Sequence, residues 1–178
     1  PKPLAAVVAA YVNFFRSIPL ILTIFWVFFL VPVALRAVTG NPYLTVGPIW
    51  SALIAFVLAE SAYYCEILRA GIGSVRAGQM SAARALGLNG IQTMRYVVLP
   101  QAFKNMAPSL VNQSVALLKD TSLVYVISLN DFLGAAGVIG QRDGRLVELY
   151  LFAAAVYLLL CTLGALAVNR LQGFGKTR

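Results

Sequence analysis

The chain has 178 residues, 60% hydrophobic and 11% charged, with a mean hydropathy of +0.82, which is too little polar material to cover a water-soluble globule of this size. A formal charge of +8 does not mark a nucleic-acid binder, because the basic residues are scattered between apolar runs and form no patch with interleaved aromatics. With no histidine and two cysteines, Cys65 and Cys161, both inside apolar stretches, a structural zinc cluster and a disulfide scaffold are excluded.

Lipid is therefore the expected solvent and an all-α membrane protein the expected class. The chain begins at Pro1-Lys2-Pro3, without an initiator methionine or the pattern of a signal peptide, so a leading portion is expected to precede it. Residues 3–16 are apolar but too short to cross a bilayer, and predict a helix along the inner interface. Three stretches then lack any Asp, Glu, Lys or Arg: 19 residues between Arg16 and Arg36, 23 between Arg36 and Glu60, and 21 between Glu148 and Arg170. Each meets the roughly 20 helical residues a hydrocarbon core requires.

The first predicted crossing covers 18–38, with Ser17 placed to cap it, Pro19 in its first turn and Pro32 as a kink. Thr39-Gly40-Asn41-Pro42 is turn chemistry. The second crossing, 48–68, carries Glu60, with Tyr63 and Tyr64 as interface anchors. Between 70 and 100 the pattern changes to short helices. Ala82, Ala83, Ala85 and Leu86 form a small apolar edge, Gly87 ends the first helix, and Asn89-Gly90-Ile91-Gln92 has capping-box spacing for a second that is expected to stop at Pro100. Read by itself, this hairpin is either a docking element that a partner approaches closely or a lipid-surface hairpin.

The third predicted crossing, 103–127, is interrupted by Pro108, Asn112, Gln113, Ser114, Lys119, Asp120, Thr121 and Ser122, a pattern tolerated only beside protein or a water-filled cavity. Ser128-Leu129-Asn130-Asp131 reads as another helix start. Gly134, Gly137 and Gly140 permit close packing or a mobile outer gate, and 147–169 is a plain apolar crossing. Basic residues fix the topology. Arg69, Arg76, Arg84, Arg95 and Lys104, with Arg170, Lys176 and Arg178, place 69–104 and the tail inside, whereas Arg36, Asp131, Arg142, Asp143 and Arg145 fall outside.

Glu60, Lys119 and Asp120 are expensive at membrane depth, and are candidates for a substrate pathway, against the plainer reading that they only fix helix packing. Glu60 and Asp120 can accept an amine, and Lys119 can attract a carboxylate. Arg142 and Arg145 can draw anions to the outer mouth.

Residues Ser81 to Pro100 read SAARALGLNGIQTMRYVVLP, which resembles the cytoplasmic loop signature of ATP-binding-cassette (ABC) importer permeases: Glu-Ala-Ala, three residues, Gly, nine residues, then Ile-x-Leu-Pro. Ala82, Ala83 and Gly87 match. Val97 stands for Ile, and Ser81 for the usual Glu. With YVNFFRSIPL at 11–20, SAYYCEILRAGI at 61–72 and KDTSLVYV at 119–126, the whole chain resembles the polar amino-acid branch, its finer text the glutamate/aspartate permeases. That resemblance implies a type I importer fold with four membrane helices here and a first span missing, as one permease domain over 1–178. It implies coupling through Gln79, Ser81, Ala82, Ala83, Gly87, Leu99 and Pro100 in the 70–100 loop.

The implied partners are a cytoplasmic ABC ATPase dimer, a second permease that is a sister or an identical copy, a periplasmic or extracellular amino-acid-binding protein, and membrane lipid. ATP and Mg would sit on the ATPase and no cofactor on this chain. Gly175-Lys176-Thr177 lacks the earlier glycine of a phosphate-binding loop, its position being Arg170. Two other readings compete: a transporter or channel driven by an ion gradient, and a membrane scaffold.

Overall fold

A computed structural model describes the backbone of residues 2–176 and the side chains of 3–166; the side chains of Arg170, Lys176 and Arg178, to which a cytoplasmic tail was assigned, lie outside these. All regular structure among the described residues is helical: α1 (Lys2–Ser17), α2 (Leu20–Phe25), α3 (Val31–Thr39), α4 (Pro48–Gly73), α5 (Ala77–Ala85), α6 (Gly90–Thr93), α7 (Leu99–Asp120), α8 (Phe132–Asp143) and α9 (Leu146–Lys176). Three stretches are long and apolar enough to cross a membrane, Leu20–Thr39, Pro48–Gly73 and Leu146–Leu166. A fourth arises if Gly90–Ile127 and Phe132–Asp143, bent by 49°, are taken as one broken span.

Two prolines shape the helices in the same way. A π turn at Trp26–Leu30 joins α2 to α3 ahead of Pro32, and another at Met94–Val98 joins α6 to α7 ahead of Pro100. Proline offers no N–H to the carbonyl four residues back and crowds it, and widening the preceding turn relieves both problems. The expected stop at Pro100 is therefore absent: Val31 N–H reaches back to Trp26 O, Leu99 N–H to Met94 O, and the chain continues helically. A second correction concerns Ser17. Its hydroxyl donates to Asn13 O at 2.7 Å within α1, and Pro19 holds the cap position of α2 without a side-chain bond.

Small residues on α4 let its neighbours close in. Ser51, Ala52, Ala55, Ala59, Glu60, Ala62 and Gly71 are its buried positions. Ala52 and Ala55 join Ile24, Val27, Val124 and Ile127 in the main core. A second cluster, Val75, Val98, Ala102 and Met106, roots the hairpin. There Gly71 permits close approach, since a Cβ at that position would lie 2.9 Å from Met106 Cβ.

The first helix follows α4 in the same sense. The Tyr11 hydroxyl donates to Leu58 O at 2.7 Å and meets Ser61 Oγ at 2.8 Å, while Arg16 reaches Glu66 at 3.8 Å. Beyond α7 the chain tightens into a 3-10 helix, Thr121–Ile127. Its start is set by side chains: Thr121 and Ser122 hydroxyls each donate at 2.7 Å to Leu118 O and Lys119 O, competing with the α pattern. Ser128 takes a left-handed conformation (φ 62), and Asp131 caps α8 by accepting from Leu133 and Gly134 N–H. The glycine series on α8 serves close packing, with a Cβ on Gly137 falling 3.0 Å from the Tyr150 hydroxyl and one on Gly140 falling 3.0 Å from Leu146 Cα.

Candidate functional site

Gln113, Ala116 and Asp120 recur at helical spacing along one face of α7, and that face looks toward Glu60 on α4. The Glu60 side chain is 7% exposed. Gln113 Nε2 lies 3.2 and 3.0 Å from its two carboxylate oxygens, a bond between residues 53 apart in sequence. With Tyr63 and Leu123, these residues line a partly open cavity of about 340 Å³, and Ile18 to Ile21, leading into α2, form another side of it. Glu60 and Asp120 thus meet in one place although they come from different helices.

Lys119 does not join them. It is exposed, and no ion pair within 4.0 Å connects it to a described carboxylate. The two neighbours point about 100° apart on a regular helix, so Asp120 turns inward and Lys119 outward. The cavity lining holds no basic side chain. Arg16 comes near, stacked 5.9 Å from the centroid of the Tyr63 ring, but is engaged by Glu66. A larger cavity of about 700 Å³ lies at Tyr125, Ser128, Asn130, Gln141, Tyr150 and Tyr157, and no charged side chain lines it. A charged solute is therefore better matched by the smaller cavity. At the turn after α8 Arg142 pairs with Asp143 at 2.8 Å, and Arg145 is exposed.

The hairpin presents a second surface. Gly87 is left-handed (φ 82), with open space where a Cβ would project. Asn89 accepts from Gln92 N–H at 2.9 Å and Gln92 accepts from Asn89 N–H at 3.0 Å, closing the capping box. Gln79, Ser81, Ala82 and Pro100 are exposed and Leu99 is half-buried. Ala83 is 3% exposed, turned to the inside of the hairpin. Gln101 Nε2 donates to Gln79 Oε1 at 3.4 Å and to Val97 O at 3.0 Å, bracing α5 against the start of α7. Leu86 and Ile91, 83% and 81% exposed, flank the turn as two large apolar projections. Their position beside Gly87 and Gly90 was a usable signal, since large apolar residues at a polar, glycine-marked turn have no core to enter. Gln113 was also legible as a polar residue seven positions before Asp120, but only the fold reveals its partner.

Among the described residues, no group of three or more His, Cys, Asp or Glu could hold a metal ion. Membrane-length helices, with a carboxylate-lined cavity between α4 and α7, define a multi-pass helical membrane protein. Residues 1–173 match the family described as binding-protein-dependent transport system inner membrane component, and the chain belongs to it. A glutamate/aspartate import permease protein, GltK, of Escherichia coli O6:H1 is 47% identical over 170 residues, covering 96% of this chain and 76% of the relative. A probable glutamine ABC transporter permease protein, GlnP, of Bacillus subtilis is 38% identical over 172 residues, covering 95% and 75%.

Among solved structures, an amino acid ABC transporter crystallised with histidines superposes with a TM-score of 0.83 at 31% identity, covering 94% of this chain and 75% of that one. The MetNI methionine ABC transporter, inward-facing, superposes with a TM-score of 0.67 at 20% identity, which shows the shared fold. The chain is thus a multi-pass inner-membrane permease subunit of an ABC amino-acid importer, a transport component without catalysis of its own.

Proposed function

We propose that this permease carries dicarboxylic amino acids, glutamate and aspartate, through a path that passes the Glu60–Asp120 cavity. The observation that supports this substrate class is the margin of identity: 47% to the glutamate/aspartate permease, against 34–38% to permeases named for cystine, glutamine and arginine. Glu60 and Asp120 suit the substrate's ammonium. Lys119, at the same level of α7 but on another face, is the candidate for a carboxylate, met outside this cavity or across from a second permease.

In this reading 70–100 is the cytoplasmic coupling loop, docked on an ABC ATPase dimer that binds ATP and Mg, while a binding protein delivers substrate to the opposite face. Gln79, Ser81, Ala82, Gly87 and Pro100 give the accessible surface, Ala83 and Leu99 support it from within, and Leu86 and Ile91 are the projections that enter the partner. Closure of the ATPases then moves the hairpin root, where Val98, Ala102 and Met106 continue directly into α7 and so to Gln113 and Asp120.

The test is uptake by the complete transporter in proteoliposomes, with ATPase, binding protein and any sister permease. Glutamate and aspartate are expected to enter only with ATP on the ATPase side and to be displaced poorly by glutamine, cystine or arginine. Accumulation of one of those three without glutamate would overturn the substrate class. In the same preparation Leu86→Asp is expected to reduce co-purified ATPase and uptake together, by about tenfold, as for loss of an interface anchor; full retention of both would remove the docking assignment.

A further inference from the structure

We infer that Gln113 is a positioning residue for substrate recognition, holding the Glu60 carboxylate from one side so that its free lone pairs face the cavity. This rests on the reading that the cavity receives the ammonium of an amino acid. The chemistry of the pair fixes the amide's orientation. An ionised carboxylate offers only acceptors, so the NH2 group of Gln113 must face it, and the two contacts at 3.2 and 3.0 Å engage both Glu60 oxygens. The amide oxygen is thereby left as a third acceptor. Among the described residues it takes no hydrogen bond, and Gln113 lines the same cavity as Glu60 and Asp120.

A primary ammonium brings three donors, and a cavity with three acceptor groups and no basic side chain matches that count. A hydroxyl or a carboxylate would leave acceptors facing one another.

The bond is not needed to hold α4 to α7. The same two helices are joined at Gly71 and Met106, by Asn105 Nδ2 donating to Ser74 Oγ at 2.8 Å, and by Tyr64 and Ser114 hydroxyls 3.4 Å apart. What Gln113 adds is the aim of Glu60. An unheld glutamate has three rotatable bonds and can turn toward Tyr63 or along α4. Held, it presents one geometry to the ligand, and that geometry depends on the register of α4 against α7.

The experiment is a double-mutant cycle in the complete transporter, measuring KM and kcat for ATP-dependent uptake together with co-purification of the ATPase. Gln113→Leu, close in volume and without donors, is expected to raise KM about tenfold with little change in kcat, since a hydrogen bond to a charged group is lost. Glu60→Gln is expected to raise KM at least as much, and Gln113→Leu added to it should do no further harm, because a residue acting through Glu60 has nothing left to act on. Additive effects, or normal uptake by Gln113→Leu, would overturn the proposal.

If Gln113→Leu fails to assemble, the exchange Glu60→Gln with Gln113→Glu decides. It rebuilds the interhelical amide–carboxylate pair with its partners reversed. Restored assembly with KM still raised supports the positioning role, whereas full restoration of KM makes the pair merely structural and sinks it. The substrate assignment fails separately: a wild-type transporter that carries glutamine or cystine in place of glutamate overturns that class but leaves the cycle readable, because each bears the same ammonium.

Discussion

Helices α4 and α9 are both apolar and long enough to cross a membrane, yet they solve opposite problems. A third of the apolar window of α4 (33%) is buried within the chain, against 6% for α9, so hydrophobicity alone does not say which helix carries the structure. Side-chain size does. Where α4 faces its neighbours it offers Ser, Ala and Gly, and backbones come close enough for Glu60 to reach Gln113; α9 turns leucines such as Leu158, Leu159 and Leu163 outward. In lipid there is no hydrophobic gain from bringing apolar helices together, so close packing of small residues decides association.

The comparison breaks first, and most severely, at Ala55. Its side chain is fully buried among Ile24, Val27 and Ile127, and Ala55→Phe is expected to cost about 3 kcal/mol through overpacking, read as a loss of assembled protein and a lowered unfolding midpoint in detergent. An unchanged midpoint would mean that the α4 core is slack. A smaller effect tests a place where α9 behaves like α4. A Cβ on Gly164 would fall 2.6 Å from Val115 Cγ2, and valine on a helix has little rotamer freedom to yield, so Gly164→Ala is expected to cost about 1–2 kcal/mol in the same assay. The smallest effect sharpens the contrast: Leu159→Ala, at a position 60% exposed, is expected to stay within about 0.5 kcal/mol. If the assembled transporter loses more than that while the isolated chain does not, this face of α9 meets another subunit and not lipid.

Much of this organisation was legible in residue patterns and some was not. The apolar runs, the left-handed Gly87 and the Asn89–Gln92 capping box are local chemistry, decided within a few residues, and local reasoning reaches them. Pro100 was misleading because its cost was weighed against a regular α-helix, and a π turn begun six residues earlier removes that cost. The same device at Pro32 shows that the exception follows a rule. Ser17 offered two local bonds of similar geometry, forward as a cap or back to Asn13, and tertiary packing of α1 along α4 chose between them. The Glu60–Gln113 bond needed the register of two helices 53 residues apart, about which neither local sequence carries information. The inward turn of Ala83 has the same origin, since it follows from packing of the hairpin on its own root.

Thr121–Ile127 runs for seven residues as a 3-10 helix, where three or four is usual. Wound at about 2.0 Å per residue it spans about 14 Å, and the same residues coiled as α would span about 10.5 Å. The segment is wound in the longer of the two pitches. One end is Asp120, in the wall of the cavity; the other is the left-handed Ser128, where the chain turns toward α8. Rewinding these seven residues would draw the far end inward by about 3.5 Å and rotate it by about 140°, exchanging one set of backbone hydrogen bonds for another without breaking the chain of helices.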